Sequence, residues 1–270
     1  MTRCRERSYH LVIEPLDRTA PDRADLLAAI VHDLRLDGAI LAPPLCDDAA
    51  ILDVLDAAQL PYVRISPHSE AERSGLISMD KAAVREMTAY LIALGHTDIG
   101  FIEGDPGHSV SAERRRGFIA AMESAGLNVD PARLLIGDFN IRSGLALGDQ
   151  LLAGPDRPTA VFASNDEMAL GVLITAIRLG IAIASDVSIV GFDDAPLARA
   201  AWPQLTTVRQ LKMQMAAAAV DVLVNPHYRH NIAAAEFKKL LGYEIVFRQS
   251  AGASPQVACL VRVNQVEHDA

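Results

Sequence analysis

Short apolar runs alternate along this chain with longer stretches of helical period. Runs at 9–13 (YHLVI), 39–42 (AILA), 62–65 (YVRI), 99–103, 134–136, 160–163 (AVFA), 187–192 and 243–247 (YEIVF) predict strands. Amphipathic stretches at 22–35, 48–59, 81–94, 111–125, 143–152, 166–179 and 211–224 predict helices. Within 22–35, Leu26, Leu27, Ile30, Val31 and Leu34 fall on one helical face. Gly95 and Gly126 follow two of the helices, where left-handed geometry favours glycine. Strand, crossover helix and strand in repetition require a mostly parallel sheet covered on both faces, an α/β fold. The strands are too many for one small sheet, so two lobes are expected. In such sheets ligands bind beyond the carboxyl ends of the strands.

Composition narrows the classes. Half of the 270 residues are hydrophobic and 22% are charged, a globular balance. The net charge of −9 opposes unaided binding to a phosphate backbone. Arg3, Arg5 and Arg7 would give weak, salt-sensitive contacts at most. Three scattered cysteines, Cys4, Cys46 and Cys259, argue against a disulfide framework and for a reducing, cytoplasmic setting. No apolar run approaches the ~18 residues of a spanning helix, and residues 1–8 lead into no signal-type apolar region. From residue 251 the chain lacks a clear pattern, and partial disorder is expected there, in the tail at 255–270.

The strand exits carry the chemistry. They read Glu14-Pro15-Leu16-Asp17, Pro43-Pro44-Leu45-Cys46-Asp47-Asp48, Gly104-Asp105-Pro106-Gly107-His108-Ser109, Gly137-Asp138-Phe139, Ser164-Asn165-Asp166-Glu167 and Phe192-Asp193-Asp194. Carboxylates and an amide can fork to hydroxyls while an aromatic ring packs on the apolar face of a sugar. Taken singly, each acidic residue serves equally well as a helix cap or turn former, Asp166 above all. Six polar exits together point to a polyhydroxylated ligand. Two residues of Arg114-Arg115-Arg116 suit a solvated face, and one suits a cleft. The chain has no nucleophile elbow, P-loop or dinucleotide fingerprint. His227 and His230 lack further ligands at matching spacing and read as a surface loop. Nothing in the sequence would raise a carboxyl pKa, so an acid/base role for Asp166, Glu167, Asp193 and Asp194 is the minority reading and no catalytic residue is expected; no metal or cofactor is expected either.

Five motifs go further: GHTDIGF at 95–101, Arg114-x-x-Gly117-Phe118, PTAVFASNDEMAL at 158–170, DVSIVGFDD at 186–194 and PQLTTVRQ at 203–210. In order and spacing they resemble the effector-binding core of LacI/GalR transcriptional regulators from about residue 8 to 250. The resemblance implies a two-lobed, type I periplasmic-binding-protein-like fold of parallel sheets flanked by helices. It implies lobes of 1–96 plus 211–242 and of 97–210 plus 243–254, then a tail at 255–270. An effector, expected to be a carbohydrate, would bridge the lobes and alter DNA affinity through lobe closure. Carried over residue by residue, Arg114, Phe139, Asn165 and Asp193 would line its site, with Asp80, Ser109, Ser111, Pro44 and Trp202 as weaker candidates. A homodimer is implied, with the helix at 48–59 in its contact. The family's helix-turn-helix module and the core's first strand and helix have no counterpart here, which would leave an unpaired sheet edge and tie operator DNA to a module supplied elsewhere. A stand-alone sugar-binding protein of transport type shares these features and is the alternative.

Overall fold

The computed structural model describes residues 2–67, 75–78, 80–226 and 238–257. In chain order its elements begin with α1 (Thr2–Glu6), α2 (Arg23–Leu34), β1 (Ala39–Leu41), α3 (Ala49–Ala57), β2 (Tyr62–Ile65) and β3 (Gly75–Ser78). They continue with α4 (Asp80–Ala93), β4 (Ile99–Glu103), α5 (Ser109–Ser124), β5 (Leu134–Ile136), α6 (Ile141–Leu152), β6 (Ala160–Ala163) and α7 (Asp166–Arg178). Then come β7 (Ser188–Phe192), α8 (Pro196–Ala200), β8 (Thr206–Gln210), α9 (Lys212–Leu223), β9 (Lys238–Leu241) and β10 (Tyr243–Val246). His227, His230 and Cys259 lie outside the described residues.

The chain divides into two compact units, Met1–Met79 with Leu211–Gly242, and Asp80–Gln210 with Tyr243–Ala270. The first holds a parallel sheet in the order β1-β2-β3-β9. Because strand side chains alternate, Val63 turns to Met215, Ala218, Ala219 and Val222 of α9, while Tyr62 joins Leu27, Ile51 and Leu55 from α2 and α3. Asp48 caps α3 by accepting from Ala50 N and Ile51 N, and Arg23 Nε holds the same carboxylate at 2.6 Å. The arginines at the chain start are used within the unit: Arg3 Nη2 and Arg7 Nη2 both bind Asp221 of α9, at 2.8 and 2.9 Å.

The expected strand at 9–13 does not form. Leu11, Val12 and Ile13 are exposed, and β1 is the edge of the sheet among the described residues. A short apolar run becomes a strand only beside a partner whose ladder satisfies its backbone, and no described strand stands next to it.

The second unit has a sheet ordered β10-β8-β7-β6-β4-β5, parallel except for the antiparallel pair β10–β8. Val161, Ala163 and Ile189 pack beneath α6 and α7 with Leu151, Met168 and Val172. On the opposite face Phe101, Phe162, Val190 and Phe192 meet Val84, Met87 and Leu91 of α4 and Phe118 and Met122 of α5. That packing corrects the lobe boundary expected at residue 96. The apolar stripe of α4 is buried against α5, so the helix belongs to the second unit and the first passage between units comes at Asp80.

Residues 251–257 are also better ordered than their composition suggests. Ser254 N donates to Leu94 O at 2.8 Å, and the buried His96 donates from Nε2 to Gly252 O at 3.1 Å. A carbonyl can only accept, which fixes the proton on that nitrogen. Backbone pairing, invisible to hydropathy, orders residues 251–257.

Candidate functional site

The carboxyl ends of the second unit's sheet gather the exits of β4, β5, β6 and β7. Gly117 starts the construction. A Cβ there would overlap the carbonyl of Lys81, so its absence lets α5 close on the first turn of α4. The contact brings Arg114, one turn earlier on α5, to Asp80, the first residue of α4. Arg114 Nε donates to Asp80 Oδ1 at 2.8 Å, and both side chains are almost fully buried, at 5% and 2% exposure. Arg114 Nη1 donates to Ser164 O, and the guanidinium lies 3.7 Å from the centroid of the Phe192 ring. Gln210 Nε2 reaches the same Asp80 oxygen at 3.4 Å. Arg115 and Arg116 stay exposed and pair with Glu103 and Glu113, as a solvated helix face should.

Phe139 comes to the same place from the β5 exit. Its backbone is left-handed, with φ of 65°. Its ring lies over Gly104, where any side chain would overlap it, and tilts against His108 at 5.2 Å. The ring centroid is 5.9 Å from the Arg114 guanidinium carbon. Asn165 ties this loop to β6: its Nδ2 donates to Phe139 O at 2.7 Å while Oδ1 accepts from Met168 N at 2.9 Å and caps α7.

The β7 exit is held from three directions. Asp193 and Asp194 adopt φ of 111° and 49°, conformations that L-residues keep only where the surroundings impose them. The Asp194 carboxylate is buried and accepts from Arg248 Nη2 at 2.5 Å and Arg209 Nε at 2.7 Å, with Arg199 Nη2 at 3.5 Å. Burial alone would raise its pKa, but the hydrogen bonds from Arg248 and Arg209 outweigh it and hold the carboxyl below its ordinary range. This clamp fixes its neighbour Asp193, whose side chain stays partly exposed and whose N–H donates to Val208 O at 2.7 Å.

Asp166 departs from expectation. It is buried, accepting from Thr207 Oγ1 at 2.6 Å and Ala195 N at 2.7 Å, in a space that a Cβ on Gly191 would fill. Burial pushes its carboxyl up to about 7 despite those two bonds. Its burial under β7 and β8 is a tertiary fact, so the sequence held no sign of the shift.

The middle and C-terminal parts of the chain, residues 88–251, match the family described as "Periplasmic binding protein-like domain". The chain belongs to that family. Within it the match is to LacI/GalR-type cores. The probable repressor ExuR of Bacillus subtilis is 31% identical over 67% of this chain and 54% of its own. The repressor PurR of Escherichia coli is 40% identical over 50% of this chain and 40% of its own. The chain thus spans about half the length of the curated relatives it matches. A solved "transcriptional regulator CelR-cellobiose complex" superposes with a TM-score of 0.84 at 28% identity, covering 93% of this chain and 76% of that one.

In this periplasmic binding protein-like core, Arg114, Phe139, Asn165 and Asp80 are joined by these contacts at the strand exits of the second unit, and Asp193 follows β7 at the same end of the sheet. Ser111 is spent on its own loop, donating from Oγ to Asp105 O at 2.7 Å, and Ser109 opens α5. Trp202 is not with them. It precedes the amino end of β8, opposite the strand exits, and is 81% exposed. Its neighbourhood in sequence to a family motif placed it wrongly, because α8 carries the chain from one end of the sheet to the other. Pro44 follows β1 in the first unit and opens a short 3-10 turn at Leu45–Asp47. Sequence reasoning named Gly104, His108 and Asp194 only as parts of the strand exits and gave no site role to them, to Arg209 or to Arg248. The Asp193-Asp194 doublet was the available signal for the clamp; its arginine partners are distant in sequence.

Among the described residues no group of three or more His, Cys, Asp or Glu side chains could hold a metal, and no helix is long and apolar enough to cross a membrane.

Proposed function

We propose that this chain is the effector-sensing core of a LacI/GalR-type transcriptional repressor and that its effector is a carbohydrate or sugar derivative. One observation carries the reading. Arg114, Phe139 and Asn165 meet at the exits of β4, β5 and β6, with the ring 5.9 Å from the guanidinium carbon and the amide bonded to Phe139 O, and Asp193 leaves the adjacent β7 at the same end of the sheet. A saccharide presents an apolar ring face to an aromatic and hydroxyls to the polar groups. The similarity to a regulator captured with cellobiose supports the same class. Binding would favour one of two states with different affinity for operator DNA, reached through a helix-turn-helix module joined to the core. No catalytic step is assigned to the site, and the cytoplasm, where operator DNA lies, is the proposed compartment.

The core is proposed to act as a homodimer. Ile174 and Ile177, three apart and hence on one face of α7, are exposed. Helix α3, expected in the contact from the resemblance, carries exposed Asp53 and Asp56.

Calorimetry with glucose, cellobiose and glucuronate tests the effector class. At least one should bind, and Asp193→Asn should weaken it about tenfold or more. Unchanged affinity in that variant removes Asp193 from the site.

A further inference from the structure

Ser164 has the side chain that the site leaves unused. It is the residue directly after β6, and its main chain is pinned on both sides: Ser164 N donates to Ile102 O at 2.9 Å, and Ser164 O accepts from Arg114. Strand alternation puts it on the sheet face of Ala160 and Phe162, the face on which Arg114 and Phe192 meet. The residue is fully buried. Among the described residues its Oγ is the one buried side-chain nitrogen or oxygen with no hydrogen-bond partner.

The groups nearby are committed elsewhere. Arg114 Nε serves Asp80, both ends of the Asn165 amide are engaged, and Asp166 is taken by Thr207 and Ala195. A buried hydroxyl without a partner is disfavoured, and folded proteins retain one where something outside the chain completes it. The backbone cannot move away, so rotation among the three staggered positions of χ1 is the freedom left to the hydroxyl.

We infer that Ser164 Oγ is a specificity-determining group that hydrogen-bonds a hydroxyl or ring oxygen of the bound saccharide. The inference rests on the proposed sugar-binding reading and adds to it a group that reports on one ligand oxygen. A hydroxyl both donates and accepts, so it suits a neutral sugar oxygen and gives nothing to an apolar substituent.

The test uses Ser164→Ala in the full chain, with glucose, cellobiose and glucuronate in calorimetry and with thermal melts of the ligand-free protein. Affinity for the saccharide bound by the wild type should fall about tenfold, the weight of one unmet hydrogen bond. The ligand-free melting temperature should hold or rise, because the variant removes a hydroxyl that has no partner there. Monodeoxy analogues of the same saccharide should show that Ser164→Ala no longer distinguishes one of them from the parent sugar. Equal binding by the wild type and the variant overturns the assignment while leaving the sugar reading intact. A lowered ligand-free melting temperature overturns it too, since the hydroxyl would then be satisfied within the free protein or by trapped water. Binding of none of the three probes to the wild type overturns both readings together.

Discussion

Single side chains in this site do two jobs, and which one dominates is decided by burial. Arg114 was expected to grip ligand, yet its Nε and Nη1 serve Asp80 and Ser164 O and its plane covers Phe192. Taking away one member of a buried ion pair strands the other, so Arg114→Ala should lower stability by about 3–5 kcal/mol in chemical denaturation. Two buried titratable groups should leave opposite marks on stability. His96, tied to Thr159, Ser188 and Gly252, is held by burial below its ordinary 6.5. The unfolded chain takes up that proton where the fold resists it, so the stability this group confers is full above 6.5 and is lost as pH falls below it. Asp166 runs the other way. Its folded pKa of about 7 lies above the ordinary 3.8, so its contribution is full at low pH and is lost as pH rises from 3.8 through about 7. In melts from pH 5 to 8, His96→Gln should flatten the acid-side loss, and Asp166→Asn should remove the decline toward neutrality.

Elements meet here through glycines. Gly144 of α6 and Gly171 of α7 have no room for a Cβ, because each faces the backbone of the other helix. Gly117 does the same for α5 on α4, and the Arg114–Asp80 pair depends on that approach. Gly117→Ala should destabilise by about 1–3 kcal/mol in urea. It should also weaken saccharide binding through displaced Arg114; a stability loss with unchanged affinity would separate packing from site. Most elements were legible from periodicity, since each α/β unit buries a continuous strand and one helical stripe. The strand β8 was not. Its Thr206 and Thr207 are fully buried yet polar, satisfied by Arg248 N and by Asp166, so a hydropathy reading passes over them. The converse error came at 9–13, a short apolar run without a partner strand. Candidate site residues at strand exits were legible because the fold class fixes where exits lead. Trp202, carried over from the resemblance and not from a strand exit, stands at the sheet's other end.

At the scale of the molecule, the chain passes between its two units three times, at Asp80, at Leu211 and at Tyr243, so neither unit is a continuous stretch. The proposed dimer belongs to this scale. Light scattering at micromolar concentration should report twice the 29.0 kDa chain mass, and Ile177→Asp on the exposed face of α7 should return it to one. A dimer indifferent to that change would move the contact away from α7. By itself the sequence determined the α/β class, the order of most strands and helices, and the stations where binding groups would stand. Those properties follow from local periodicity and from a rule about strand ends. Tertiary structure alone decided that α4 sides with the second unit, that Arg114 is neutralised by Asp80, that three arginines hold Asp194, and that the Ser164 hydroxyl is left without a partner. Each is a relation between residues far apart in the chain, set by desolvation and close packing, which no local pattern encodes.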